Sequence, residues 1–365
     1  MPELVLFQEA NRQLVICNAC RYCEGYCAVF RAIEVRRTFA EGDVLYLSNL
    51  CHDCRACYYA CMYSDPHEFA INIPQIMSDV RVASYKRWSW PAFFARSFTD
   101  RWLGIALALF VAALVVVLGT VLVSPTQMFA SHRGPGAFYH VIPYLAMVIP
   151  AITLFFYGVT IWLAASVRFW REQGNAPTRP MSIRAVTQAV GDALSLRNLA
   201  GGGAGCSYPE EKPSSVRRVY HSFVSWGFLA ALTSTTLAAI YQDLFGWLPP
   251  YSLSSAPVIF GSAGGVAMII GTAGLAWYKI KSDPAPGGAG AARLDLVFLA
   301  TLGSVSLSGM LTLALRGTPA MGSLLTIHLG LVAAMFVSAP YGKFVHFLYR
   351  SLALVKYHIE QNQLH

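Results

Sequence analysis

The tightest constraint on this 365-residue chain is a cysteine pattern that occurs twice between Cys17 and Cys61. The first run is Cys17-x2-Cys20-x2-Cys23-x3-Cys27 and the second is Cys51-x2-Cys54-x2-Cys57-x3-Cys61, which together use eight of the nine cysteines. This is the spacing of a bacterial iron–sulfur run. Three thiolates two residues apart wrap one cubane, and the fourth lies too far along to close it. In two-cluster ferredoxins that fourth thiolate reaches the other cluster. The expected ligand sets are therefore Cys17, Cys20, Cys23 and Cys61 for one [4Fe–4S] centre, and Cys51, Cys54, Cys57 and Cys27 for the second. Paired zinc knuckles take two ligands each, which would leave a third cysteine in each run over. A disulfide framework needs an oxidising compartment. The fourth cysteines precede Ala28 and Met62, not the proline of the standard run, and the linker Ala28 to Leu50 is charged and apolar instead of rich in turn formers. A helical ferredoxin-like module is the expectation. His52 and His67 sit near the cysteines as substitute ligands, but eight thiols already fill both sets.

Composition constrains the chain beyond this module. With 55% hydrophobic and 13% charged residues the chain reads as a membrane protein. Six runs approach or exceed the roughly 20 apolar residues that span a bilayer: Trp102–Val123, Val141–Val167, Val219–Tyr241, Val258–Tyr278, Leu296–Leu315 and Leu324–Leu348. The first five contain no Lys, Arg, Asp or Glu, and the sixth only Lys343. Between the second and third runs lie Arg168, Arg171, Arg179, Arg184, Arg197, Lys212, Arg217 and Arg218, and between the fourth and fifth Lys279, Lys281 and Arg293. The opposite loops hold Arg133, no basic residue, and Arg316. Basic loops mark the cytoplasmic side, so both termini and the cysteine module are expected in the cytoplasm of a bacterial inner-membrane protein. The net charge of +8 then reports topology and calls for no nucleic-acid partner. Met1 to Val15, with Glu3, Glu9 and Arg12, does not read as a secretory signal.

The expected fold is mainly α. Residues 1–85 form the two-cluster module, 86–101 an interfacial linker, 102–350 a six-span membrane bundle and 351–365 a cytoplasmic tail. Residues 86–101 mix Trp88, Trp90, Phe93, Phe94 and Phe98 with basic residues, as a headgroup-level segment would. Within the cytoplasmic loop 168–218, Ser182 to Leu199 reads as an amphipathic helix with Ser182 as N-cap. The glycine-rich stretch ending at Cys206 lacks the strand, helix and lysine of a phosphate loop, so it is expected to pack under the module.

Ionisable residues within spans are functional suspects. His328 and His346 are five helical turns apart on one face, roughly 27 Å along an unbroken helix. That would put His346 near the cytoplasmic edge, at the depth of His221 at the start of the third span. Two neutral imidazoles on neighbouring helices at one depth make a haem site, so His221 and His346 are the expected haem b ligands. His328 and His140 form a weaker pair at the other edge, for a second haem or a quinone contact. Lys343, Arg217, Arg218 and Arg350 are placed to meet haem propionates.

Those residues carry two resemblances. The segment His328 to His346, with its 18-residue histidine separation, resembles the last span of the nitrate reductase gamma subunit, a dihaem quinol-oxidising family. That family has a second histidine ten residues after the position of His221, where this chain has Ala231, a departure that favours one haem. The segment Ile16–Phe30, the second cysteine run, the Gly-rich Cys206 loop and the six spans are similar to the tricarballylate/citrate-utilisation protein B (TcuB/CitB) family across nearly the whole chain. This resemblance implies an electron carrier that reoxidises the FAD of a separate TcuA-like dehydrogenase and delivers electrons to quinone. No carboxylate pair, nucleophile with base, or dinucleotide fingerprint points to substrate chemistry in this chain itself. Two rivals predict different behaviour: a quinol-oxidising subunit that feeds a soluble reductase of the heterodisulfide-reductase type, and a zinc-bearing membrane anchor or sensor without haem.

Overall fold

The computed structural model describes residues 3–99, 103–172, 182–203 and 205–364. Apart from a two-stranded ribbon, its regular elements are helical. Six helices precede the first long apolar one: α1 (Glu3–Cys20), α2 (Ala28–Glu34), α3 (Glu41–Leu50), α4 (Ala56–Tyr59), α5 (Ile73–Trp88) and α6 (Ala92–Thr99). Their starts follow local chemistry. Asn72 caps α5 by accepting from the Gln75 amide at 3.2 Å, and Pro74 occupies the first turn. Asp43 in the first turn of α3 reaches back to the Ala40 amide at 3.1 Å. Leu14 of α1, Ala32 of α2, Leu47 and Leu50 of α3 and Met77 and Val80 of α5 make a shared core, each fully buried.

The rest of the chain runs through α7 (Leu103–Leu122), a short α8 (Pro125–Met128), α9 (Tyr144–Arg171), α10 (Ile183–Leu194), α11 (Val216–Asp243), α12 (Ala256–Lys281), α13 (Ala289–Ala314), α14 (Met321–Ser338) and α15 (His346–Leu364). Helices α7, α9 and α11 to α14 are long and apolar enough to cross a membrane. Their outward faces expose large apolar side chains such as Leu109, Leu122, Phe156 and Leu163, a surface that only lipid covers. The chain is a multi-pass membrane protein. Helices α11 and α12 approach so closely that a Cβ on Gly264 would lie 2.6 Å from the Gly227 carbonyl oxygen and 2.8 Å from the Ala231 amide. Small residues at such crossings let backbones touch where lipid supplies no hydrophobic drive. Ala231 is thus part of a packed helix contact.

Two regions depart from the sequence reading. The sixth apolar run is two helices: α14 stops at Ser338, residues 339–342 form a turn, and Lys343–Val345 make one 3-10 turn before α15 begins at His346. Pro340, which has no amide hydrogen, sits in that turn. His328 and His346 therefore lie on different helices. The C-terminal segment is also no free tail. Ala353, Leu354, Val355 and Tyr357 of α15 are buried in one core with the cysteine module, with Ala185 and Ala189 of α10 and with Phe169 of α9.

Two features sit between module and bundle. Helix α10 starts on Ser182, whose Oγ accepts from the Ala185 amide at 3.1 Å. In segment 86–101, Trp88 ends α5 and packs edge-on against Phe169 and Tyr349 at 4.8 and 5.0 Å, while Trp90 and Phe93 stay exposed. Residues 100 and 101 of that segment lie outside the described residues.

Candidate functional site

The two cysteine runs fold back on each other through left-handed turns. Arg21 (φ 56°), after Cys20, and Arg55 (φ 64°), after Cys54, occupy matching positions in the two runs, and Asp53 (φ 54°) precedes Cys54. Non-glycine residues hold that conformation only where the surroundings fix it, and here it bends each loop around a hollow. Cys17, Cys20, Cys23 and Cys61 line one pocket together with Ile16, Tyr22 and Met62. Cys27, Cys51, Cys54 and Cys57 line a second, with His52 and Asp53 in its wall. Cys57 also touches the first pocket and so stands in the wall between the two. Cys27 enters its pocket as the N-cap of α2 and Cys51 as the C-cap of α3.

All nine cysteines are free thiols, and Cys20 is exposed while Cys51 and Cys54 are buried. Burial pushes the Cys17 thiol up to about 12, and the charges of Cys61, Cys23 and Cys20 add to the rise. Burial likewise raises Cys27 to about 12, with Cys51 adding to it. Crowded thiols of this kind lose their protons only to a cation that compensates them. Among the described residues no three His, Cys, Asp or Glu side chains converge on one ion. A [4Fe–4S] cube instead takes its thiolates at four separate corners, one per iron.

The second pocket is tied to α5, α11 and α15 by polar contacts that its cysteines do not announce. Arg81 of α5 donates through Nη2 to the Cys51 carbonyl at 2.6 Å, and Arg350 of α15 donates to the same oxygen at 2.7 Å. Arg217 of α11 donates to the Asp53 carbonyl at 2.5 Å. The ribbon β1 (Cys206–Ser207) and β2 (Pro213–Ser214) closes over this loop, with the Ser207 amide on the Cys54 carbonyl at 2.9 Å. Cys206 is buried beside Cys54 and donates to the Leu199 carbonyl at 3.1 Å. Gly205, at φ +111°, leaves no room for a side chain, because a Cβ there would lie 2.8 Å from the Ser214 carbonyl. Arg55 and Arg217 both stack on the Tyr208 ring, at 4.5 and 4.8 Å.

Below the second pocket, His221 of α11 and His346 of α15 meet with ring centroids 6.4 Å apart and planes at 79°. Each is oriented through Nδ1: His221 by Ser225 Oγ at 3.0 Å, His346 by the Lys343 carbonyl at 2.7 Å. Among the described residues no hydrogen bond engages either Nε2 atom. Burial, with the charges of Lys343 and Arg350, holds His346 well below the usual histidine range, so it stays neutral. His328 bonds Ser308 of α13 at 3.0 Å, while His140 is exposed and its ring stacks on His132 at 5.4 Å. Among the described residues no hydrogen bond or ring contact joins His328 to His140.

The expected propionate cations are also engaged elsewhere. Lys343 pairs with Asp295 at 2.7 Å, and Lys279 reaches the same carboxylate at 2.9 Å. Arg218 donates to the Ser195 carbonyl at 2.7 Å. Arg217 and Arg350 point at the cysteine loop. His67 accepts from the Phe69 amide at 3.1 Å and packs on Tyr63, whereas His52 lines the second pocket. The positions of Arg81 and Asp295 were missed in the sequence. The turns Arg217–His221 and His346–Arg350 did carry a signal, since residues one turn apart share a helix face.

Comparison with known proteins places the chain in a family. A family model described as citrate utilization protein B Fer4-like domain matches residues 10–87, and one described as citrate utilization protein B matches residues 99–364. A citrate utilization protein B from Escherichia coli is 38% identical over 362 residues, covering 97% of this chain and 93% of that protein. No solved structure matches. With an iron–sulfur-type domain at its N-terminus and a membrane domain behind it, the chain belongs to the citrate utilization protein B family.

Proposed function

We propose that the chain is the membrane electron-transfer subunit of a citrate- or tricarballylate-utilisation system. It takes electrons from the reduced FAD of a TcuA-like partner dehydrogenase and delivers them to the quinone pool. It sits in the bacterial inner membrane with both termini and the cysteine module in the cytoplasm, as its basic loops imply. The observation that carries the reading is the sorting of eight thiols into two pockets, with Cys61 crossing to the first run and Cys27 to the second. When bound, two [4Fe–4S] clusters and a b-type haem supply one-electron carriers between a two-electron flavin and a two-electron quinone.

The residues have separate tasks. Cys17, Cys20, Cys23 and Cys61 hold the exposed cluster, and Cys51, Cys54, Cys57 and Cys27 the buried one. His221 and His346 would hold the haem iron through Nε2, the nitrogen not engaged by Ser225 or Lys343. Their ring centroids lie 6.4 Å apart, near enough for one metal to be held between them. The Nδ1 bonds to Ser225 and Lys343 fix which nitrogen faces the metal. Substrate chemistry belongs to the partner.

Metal and acid-labile sulfide analysis of the purified protein, with its visible spectrum, tests the cofactor content. About eight non-haem irons per chain and a Soret band are expected, and markedly fewer irons overturn the reading. Anaerobic mixing with a candidate flavoprotein and its substrate then tests direction: cluster bleaching and haem reduction are expected. Reduction by a quinol analogue with no response to the flavoprotein reverses the assignment.

A further inference from the structure

The two helices that present His221 and His346 each send an arginine, one turn away, onto the loop of the second thiol pocket. Arg217 holds the Asp53 carbonyl at 2.5 Å and Arg350 the Cys51 carbonyl at 2.7 Å. Arg81 adds a third guanidinium, on Cys51 at 2.6 Å and on the Ser48 carbonyl at 2.8 Å, and it is only 4% exposed. Arg55 has Asp53 at 3.6 Å to offset it. Among the described residues no carboxylate comes within ion-pair distance of Arg81, Arg217 or Arg350. The first pocket differs in kind. Its walls are apolar and aromatic, and the guanidinium on its loop, Arg21 at 3.2 Å from the Asn18 carbonyl, is exposed to solvent.

We propose that Arg81, Arg217 and Arg350 are positioning residues that make the Cys27/Cys51/Cys54/Cys57 site the more easily reduced of the two. The inference rests on the proposed cluster assignment. Each added electron makes a thiolate-ligated cluster more negative, so fixed positive charge nearby favours the reduced form. Net charge, hydrogen bonding and solvent exposure are the levers that set such potentials. Charges in a poorly solvated region act with less screening than exposed ones, so the buried trio outweighs Arg21. The site beside the histidine pair then retains an electron in preference to the exposed one. The same three bonds also fix the loop rigidly to α5, α11 and α15.

The test is a potentiometric titration of the full-length protein in detergent, with both clusters followed by electron paramagnetic resonance. In the unmodified protein, the cluster whose signal relaxes faster because the haem is near must be the one reduced at higher potential. The reverse order overturns the proposal. In R81Q, R217Q and R350Q the higher potential falls by about tenfold in the equilibrium constant, which for one electron is about 59 mV, while the lower one stays put. R350K, which keeps the charge, restores most of the shift. A shift confined to the lower-potential cluster, or no shift in any glutamine variant that retains its iron, sinks the idea while leaving the cluster assignment standing. If a variant loses its clusters, the ordering in the unmodified protein still decides. Fewer than two clusters in the unmodified protein refutes the underlying assignment as well.

Discussion

Arg36 and Glu360, 324 residues apart in the chain, form a buried ion pair with Nη2 and Oε1 separated by 2.5 Å. Arg36 also reaches Asp43 at 2.8 Å, and the Tyr46 hydroxyl donates to Glu360 at 3.2 Å. Glu360 is therefore one acceptor that ties α15 to the cysteine module, beside the Arg350 bond to the Cys51 carbonyl. Removing one partner of a buried pair leaves the other charge uncompensated, at a cost of about 3–5 kcal/mol. Asp43 stays beside Arg36 in E360A, which keeps the expected loss near ~3 kcal/mol. Chemical denaturation in detergent, followed by loss of the cluster absorbance, measures it. If E360A unfolded at the same denaturant concentration as the unmodified protein, α15 would not be a structural part of the module.

Some of this architecture was legible in the sequence and some was not. Uncharged runs and their basic flanks locate five of the spans, because the bilayer imposes one length and one polarity on every crossing helix. The cysteine spacing is legible for a similar reason, since a cluster fixes its ligands at short range. Hydropathy does not separate Ser338 from His346, because Ala339-Pro340-Tyr341-Gly342 is as free of charge as the helix before it. Proline is tolerated within spans, so Pro340 alone did not mark a boundary. The burial of α15 depends on faces supplied by α3, α9 and α10, which no local pattern specifies. The partners of Lys343 and Arg217 are equally tertiary: Asp295 and the Asp53 carbonyl lie far away in the chain.

The crossing of the fourth cysteines makes a prediction about pairs of variants. C61A should remove the same cluster as C20A, and C27A the same one as C54A, each lowering non-haem iron from about eight to about four per chain. The residual resonance spectra of C61A and C20A would then match each other and differ from those of the second pair. If C61A matched C54A instead, each run would close its own cluster and the crossing would be wrong.

The histidines make a separate prediction. H221A or H346A should lower haem content at least tenfold, since each would remove one of the two proposed haem-holding imidazoles, without changing non-haem iron. H328A should leave the Soret band in place, because His328 is occupied with Ser308 on α13. Loss of haem from H328A and retention in H346A would move the haem away from the α11–α15 junction.

The last prediction concerns pH and returns to the α15 junction. Lys356 lies over the Tyr46 ring at 4.4 Å and 3.9 Å from Glu360, with Arg36 and Asp43 close by. Burial pulls its pKa down to about 8; Glu360 opposes that shift and Arg36 reinforces it. An unfolded chain, with lysine at about 10.4, therefore binds more protons than the folded one between those values. Stability rises with pH wherever the unfolded state holds the extra proton. The contribution of Lys356 to the module's stability should therefore rise from about pH 8 towards pH 10. Above that the gain is opposed, because Tyr46, raised by burial and by Glu360, resists ionisation in the folded state. K356M removes the titrating group while keeping an apolar side chain over Tyr46, so the difference between its stability and that of the unmodified protein should vary through this window. A difference that stayed constant from pH 7 to pH 10 would mean that Lys356 keeps an ordinary pKa at the junction.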